Sequence, residues 1–175
     1  MIVEVMGRRA GWIATYAGLA SGADLILVPE RTWDIQEVHD HLNHRHKTEH
    51  KSFSLIVVAE GAVESQAILH RAKDTRHDHL GRAHLGGIGD VLARALEERT
   101  GYECRSTQLG YLLRGGSPVA FDRLLATRLG LRAADCLFAG KTSLSIGEVN
   151  GQLVENTAGE LKNKQTKQHK QTTQH

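Results

Sequence analysis

Two uninterrupted apolar runs, Leu25-Ile-Leu-Val28 and Leu55-Ile-Val-Val-Ala59, constrain this chain more than any other feature. A strand with one face in water alternates apolar and polar residues, whereas a run with no polar position belongs to a strand covered on both faces. Segments of helical period separate such runs. Asp34-Ile-Gln-Glu37 has the form of a capping box, with Ile35, Val38 and Leu42 following at helical spacing. Ile88, Val91, Leu92, Ala95 and Leu96 form a second stripe that Gly101 stops, and Phe121, Leu124, Leu125 and Leu129 form a further buried face after Pro118. Strands alternating with helices predict an α/β fold of three layers around a largely parallel sheet.

The 175 residues, 40% of them hydrophobic, suit one modest domain. Apolar periodicity places that lobe at residues 1–149. From Asn150 the pattern fades, and Lys162 to His175 contains no apolar residue, so 150–175 reads as a mostly disordered polar tail. A net charge of +2, from 22 basic and 20 acidic side chains, gives no case for a nucleic-acid partner. Cys104 and Cys136 stand outside any Cys-x-x-Cys spacing and read as isolated reduced thiols. No apolar run approaches the ~20 residues that span a bilayer, and no basic-then-apolar leader is present, so the expectation is a cytoplasmic protein without a membrane partner.

Where such a chain does chemistry is suggested by Arg105-Ser-Thr-Gln-Leu-Gly-Tyr-Leu-Leu-Arg114-Gly-Gly-Ser-Pro118, which lays two arginines and a pair of glycines along one strand-to-helix turn. Glycines let backbone N–H groups approach an anion, Ser117 and Pro118 suit the N-cap and first position of a helix, and Arg114 can fork onto phosphate oxygens. A second turn of related design follows the short strand Ile2–Val5, where Met6-Gly7-Arg8 precedes a small-residue helix. In open parallel sheets ligands collect beyond the carboxyl ends of the strands, which singles out Glu30 and Glu60 at the ends of the two apolar runs.

Four segments, Glu4-Val-Met-Gly-Arg-Arg-Ala-Gly-Trp12, Val57-Val-Ala-Glu-Gly61, Leu85-Gly-Gly-Ile-Gly-Asp90 and Leu109-Gly-Tyr-Leu-Leu-Arg-Gly-Gly-Ser-Pro-Val-Ala-Phe-Asp-Arg123, resemble the phosphofructokinase family in sequence and order. The resemblance runs from about Val3 to Gly147 and covers only the C-terminal, sugar-phosphate half of that family. It implies transfer of a phosphoryl group from ATP or pyrophosphate, accompanied by Mg2+, to the 1-hydroxyl of fructose 6-phosphate in glycolysis. By the same resemblance Met6, Gly7 and Arg8 contact the sugar, with Arg8 stabilising the transition state. Glu60 accepts hydrogen bonds from fructose hydroxyls. Arg114 and Tyr111 hold the 6-phosphate, and Arg105 reaches that of a neighbouring subunit. Tyr111 departs from the histidine common in bacterial members; a phenol donates one hydrogen bond and cannot become cationic. Gly22, Asp24 and Lys51 align with effector-nucleotide positions of regulated relatives.

The family's Gly-Gly-Asp donor loop and its Thr-x-Asp-x-Asp segment, which supplies the general base, do not occur in these residues. The expectation is therefore a phosphofructokinase fragment, inactive alone, that forms a homo-oligomer or pairs with a complementary N-terminal half. A non-catalytic sugar-phosphate-binding or interaction module and a non-functional truncated remnant are the alternatives. Eleven histidines invite a metal reading, since His41/His44 and His46/His50 have helical spacing. With no His-Glu-x-x-His pattern or cysteine partner, His39, His41, His44, His46, His50, His77 and His79 are expected to be solvated, and no metal ligand is assigned.

Overall fold

The computed structural model describes residues 1–65 and 87–157, which fall into two compact units, 1–115 and 116–175. The first unit runs β1 (Ile2–Val5), α1 (Trp12–Ser21), β2 (Leu25–Leu27), α2 (Ile35–Lys47), β3 (Ile56–Ala59), α3 (Ile88–Thr100) and β4 (Ser106–Gln108). A 3-10 turn at Gly110–Arg114 follows β4. The strands form one parallel sheet in the order β2-β3-β1-β4.

Helices cover the sheet on both faces, which is why β2 and β3 read as continuous apolar runs; β1 carries the buried Glu4, and the edge strand β4, Ser106-Thr-Gln108, is polar. Successive side chains of a strand point to opposite faces. Ile56 and Val58 join Ile2, Leu27, Ile35, Val38, Leu42, Ile88, Leu92 and Leu96 in the core beneath α2 and α3, while Val57 and Ala59 join Val5 and Ala14 beneath α1. The expected three-layer α/β architecture is present in this unit. Asp34 caps α2 by accepting a hydrogen bond from Gln36 N at 2.7 Å, and Gly101 ends α3 in the left-handed conformation at φ 71°.

The second unit consists of α4 (Ala120–Phe138) and an antiparallel hairpin, β5 (Leu144–Val149) and β6 (Gln152–Thr157). Two expectations change here. Residues 152–157, assigned above to the polar tail, are a paired strand, so the ordered chain passes Asn150; residues 158–175 lie outside those described. The face of α4 expected to be buried is also open, with Phe121 71% and Leu124 61% exposed. Helical period marks an apolar side, but only a partner surface buries it. The hairpin is held by charge to α4, through Arg128 to Glu148 at 2.9 Å and Arg132 to Glu155 at 2.6 Å, and to the turn after it, through Lys141 to Glu155 at 2.7 Å. The Lys141 hydrogen bond, aided by Cys136, holds the Glu155 carboxyl below its ordinary range. Both cysteines are free thiols. No helix among the described residues is long and apolar enough to cross a membrane.

Candidate functional site

The parallel register brings two of the expected turns together. Val5 of β1 lies opposite Ala59 of β3, so Met6 and Glu60 leave the sheet side by side at its carboxyl edge. Glu60 N donates to Val5 O at 2.9 Å, Gly61 N to Gly7 O at 3.0 Å, and Gly7 N to the Glu60 carboxylate at 3.4 Å. Gly7 has φ 152°, a conformation that favours glycine. Gly61 passes so close to the first turn that a Cβ there would stand 2.1 Å from the Arg8 carbonyl oxygen. Met6, Gly7, Arg8 and Glu60 therefore form one surface.

The next strand supplies its neighbour. Leu109 N donates to Glu4 O at 3.0 Å, which carries the β1–β4 ladder into the 3-10 turn. Leu109 and Leu113 pack on the α1-side core, while Tyr111, 82% exposed, and Arg114 face outward. Across the carboxyl edge, strand order thus arranges Glu30 after β2, Glu60 after β3, Arg8 after β1, and Tyr111 and Arg114 after β4. Acids occupy one end of the row and guanidinium groups the other.

Arg105 is elsewhere. It precedes β4 at the amino edge, where its carbonyl accepts from Ile2 N at 2.8 Å and its guanidinium meets Glu103 at 2.7 Å. One turn does not hold both arginines, because β4 itself separates them. The expected N-cap shifts as well: α4 begins at Ala120 after an extended Val119, and neither Ser117 nor Pro118 is the cap.

Helix N-termini attract anions, and the fold has already filled three of them. Glu30 accepts from Gly11 N, the N-cap of α1, with both oxygens at 2.8 and 3.0 Å. Asp34 occupies the start of α2. At α3 the buried Glu4 accepts from Gly87 N at 3.0 Å and Gly89 N at 2.8 Å. The start of α4 has no side-chain cap, and Asp122 is the acidic residue in its first turn. Glu30 is thereby a structural partner of α1 rather than a counterpart of Glu60. Sequence reasoning missed Glu4, whose signal was a lone carboxylate inside the otherwise apolar strand Ile2-Val-Glu-Val5.

Gly22, Asp24 and Lys51 lie at the amino edge, before β2 and β3. Gly22 ends α1 in the left-handed conformation at φ 66°. Asp24 accepts from Leu55 N at 2.7 Å and pairs with Arg45 at 2.7 Å, which accounts for both its oxygens; Lys51 is exposed. His39 bonds Asp40 at 2.9 Å and Asn43 at 2.8 Å, and His46 stacks obliquely on Tyr102. Among the described residues no three His, Cys, Asp or Glu side chains converge as metal ligands. His77, His79, Leu85 and Gly86 lie outside the described residues.

Fold and edge chemistry together define a doubly covered parallel α/β protein whose strand-end loops set guanidinium groups beside carboxylates. A sequence model described as Phosphofructokinase matches residues 1–137, and the chain belongs to that family. It is 46% identical over 142 residues to a pyrophosphate–fructose 6-phosphate 1-phosphotransferase of Streptomyces coelicolor, covering 80% of this chain and 40% of that protein. It is 42% identical over 164 residues to an ATP-dependent 6-phosphofructokinase of Spirochaeta thermophila, covering 94% and 44%. The Pichia pastoris phosphofructokinase crystal structure in the T-state matches with TM-score 0.69 and 32% identity, covering 94% of this chain and 18% of that one. The chain thus spans less than half the length of these relatives.

Proposed function

We propose that this chain is the sugar-phosphate-binding part of a 6-phosphofructokinase, which phosphorylates fructose 6-phosphate in cytoplasmic glycolysis with ATP or pyrophosphate as donor. The observation that carries the reading is the row Glu60, Arg8, Arg114 along the carboxyl edge. Neighbouring strands lie about 4.8 Å apart, so β3 and β4, with β1 between them, set acceptor and cation about 10 Å apart. That is about the length of an extended hexose phosphate.

The three positions divide the work. An ionised Glu60 accepts from sugar hydroxyls, Arg114 and Tyr111 donate to the ester phosphate, and Arg8 in the middle faces charge that spreads over the transferring phosphoryl group. Arg105, at the opposite edge, fits a contact to the ester held by another copy, which makes a homo-oligomer the functional form. The described residues offer no set of ligands that fits Mg2+, so no step is assigned to the metal here. Donor and general base belong to a complementary half of the enzyme.

Calorimetric titration of the 175-residue chain with fructose 6-phosphate tests this. Binding is expected, and Arg114→Ala should weaken it roughly ten- to a hundredfold, the worth of a lost charge-assisted hydrogen bond. An absence of heat from the native chain, or equal heat from the variant, would overturn the reading. Mixing with a separately produced N-terminal half should give turnover; binding without turnover in that mixture would reduce the chain to a binding module.

A further inference from the structure

Glu4 is a buried carboxylate, 2% exposed, with no part in the chemistry above. Taking an ionised carboxylate out of water is costly unless hydrogen bonds compensate it, and this one has three donors from two other elements. Gly87 N and Gly89 N reach it from the first turn of α3, and Gln108 Nε2 reaches it from the last residue of β4 at 3.1 Å. The fit is close, since a Cβ on Gly89 would lie 3.2 Å from Glu4 Cβ.

What matters is where these three elements lead. Glu4 stands two residues before Met6, where the Arg8 turn begins, and Gln108 stands immediately before the turn that carries Tyr111 and Arg114. The two residues are register partners across β1 and β4. Their side-chain bond, added to the backbone bond from Leu109 N to Glu4 O, fixes the last rung from which both functional turns depart. The α3 dipole supplies positive potential to the same carboxylate, so its charge is held in place rather than expelled toward water.

We propose that Glu4 is the positioning residue of the sugar-phosphate site, a buried anion that sets the Arg8 turn and the Arg114 turn at a fixed separation. The assignment rests on the proposed function for its ligand, but the anchoring of the turns can be measured without one. Amide hydrogen exchange on the full chain, for Glu4→Gln, Gln108→Leu and Leu96→Ala, separates the possibilities. Glu4→Gln keeps the shape and turns an acceptor into a donor that opposes a helix N–H. Residues 6–8 and 109–114 should then exchange about tenfold faster or more, as for local opening of a released segment. Gln108→Leu should free residues 109–114 alone, and it carries the test if Glu4→Gln fails to fold. Leu96→Ala destabilises the fully buried core of α3 and should leave both turns at native rates.

Native exchange rates at both turns in folded Glu4→Gln, or equal loosening by Leu96→Ala, would overturn the proposal. Fructose 6-phosphate affinity should fall roughly ten- to a hundredfold in Glu4→Gln, the effect of misplacing ligand groups by about an ångström, and should be unchanged in Leu96→Ala. If the native chain binds no fructose 6-phosphate, the sugar-phosphate reading falls, while the exchange rates still decide whether Glu4 anchors the turns.

Discussion

Replacing Gly61 by alanine attacks the point where the two turns of β1 and β3 touch. The new Cβ would lie 2.1 Å from Arg8 O, 2.6 Å from Arg8 C and 2.8 Å from Gly7 O, all of them backbone atoms that no side-chain rotation can remove. A carbon and a carbonyl oxygen need about 3.3 Å, so the turns must separate by about 1 Å. Such overpacking costs about 1–3 kcal/mol, and loss of the Gly61 N to Gly7 O bond adds about 1 kcal/mol, for a total of about 2–4 kcal/mol. In a unit of this size that lowers Tm by about 8–16 °C. Urea unfolding and thermal melts followed by circular dichroism measure both quantities. Gly130→Ala is the control of opposite sign: it lies inside α4 with nothing within 4 Å of its added Cβ and should stabilise by about 0.5–1 kcal/mol. A Gly61→Ala chain as stable as the native one would refute the close approach of the turns, and with it the shared surface of Arg8 and Glu60.

Asp24→Ala removes the partner of Arg45 and of Leu55 N and should cost about 2–4 kcal/mol in denaturant titration, the effect of a structural rather than an effector-binding residue. Tyr111→His places a group that becomes cationic below about pH 6.5, while the ester phosphate gains a proton near pH 6 whichever chain binds it, so the ratio of variant to native fructose 6-phosphate affinity should rise on acidification through about pH 6.5, and a flat ratio would count against a phosphate contact at residue 111. The folded Glu155 carboxyl titrates below its ordinary value of 4.5, so its contribution to the α4–hairpin unit is complete above that pH and disappears as pH falls through the lower folded value. Melting followed across that window should show the loss, and a unit that gains stability on acidification would contradict it. Burial raises the pKa of Cys104, and burial followed by Glu155 raises that of Cys136, so both should alkylate more slowly than a free thiol when followed by mass spectrometry.

The parallel sheet was legible because double coverage leaves a local mark: Ile56 to Ala59 has no polar residue to place on an open face. The stripes of α2 and α3 were legible for the same reason, since their partners lie in the same unit. Phe121 and Leu124 on α4 show the limit, because an apolar period does not state what will cover it. β6 was missed because Gln152-Leu-Val-Glu-Asn-Thr157 alternates poorly and gains its strand form from pairing with β5. Met6, Gly7, Arg8 and Glu60 were readable as candidates, yet their union depends on parallel register. Arg105 and Arg114 look like neighbours in the chain, but an extended strand carries them to opposite rims. Glu4 escaped notice because its three donors are distant in sequence.

Under the proposed sugar-phosphate reading, the lateral sequence of charges along the strand ends also gives the surface a handedness toward its guest. A hexose monoester entering reversed would press its dianion against Glu60 and turn its hydroxyls toward guanidinium, losing at both ends together. In that reading, discrimination between esters of the head and of the tail of a sugar would arise from the β2-β3-β1-β4 strand order itself. No single side-chain exchange on this rim would reverse it; the strands would have to be rewired.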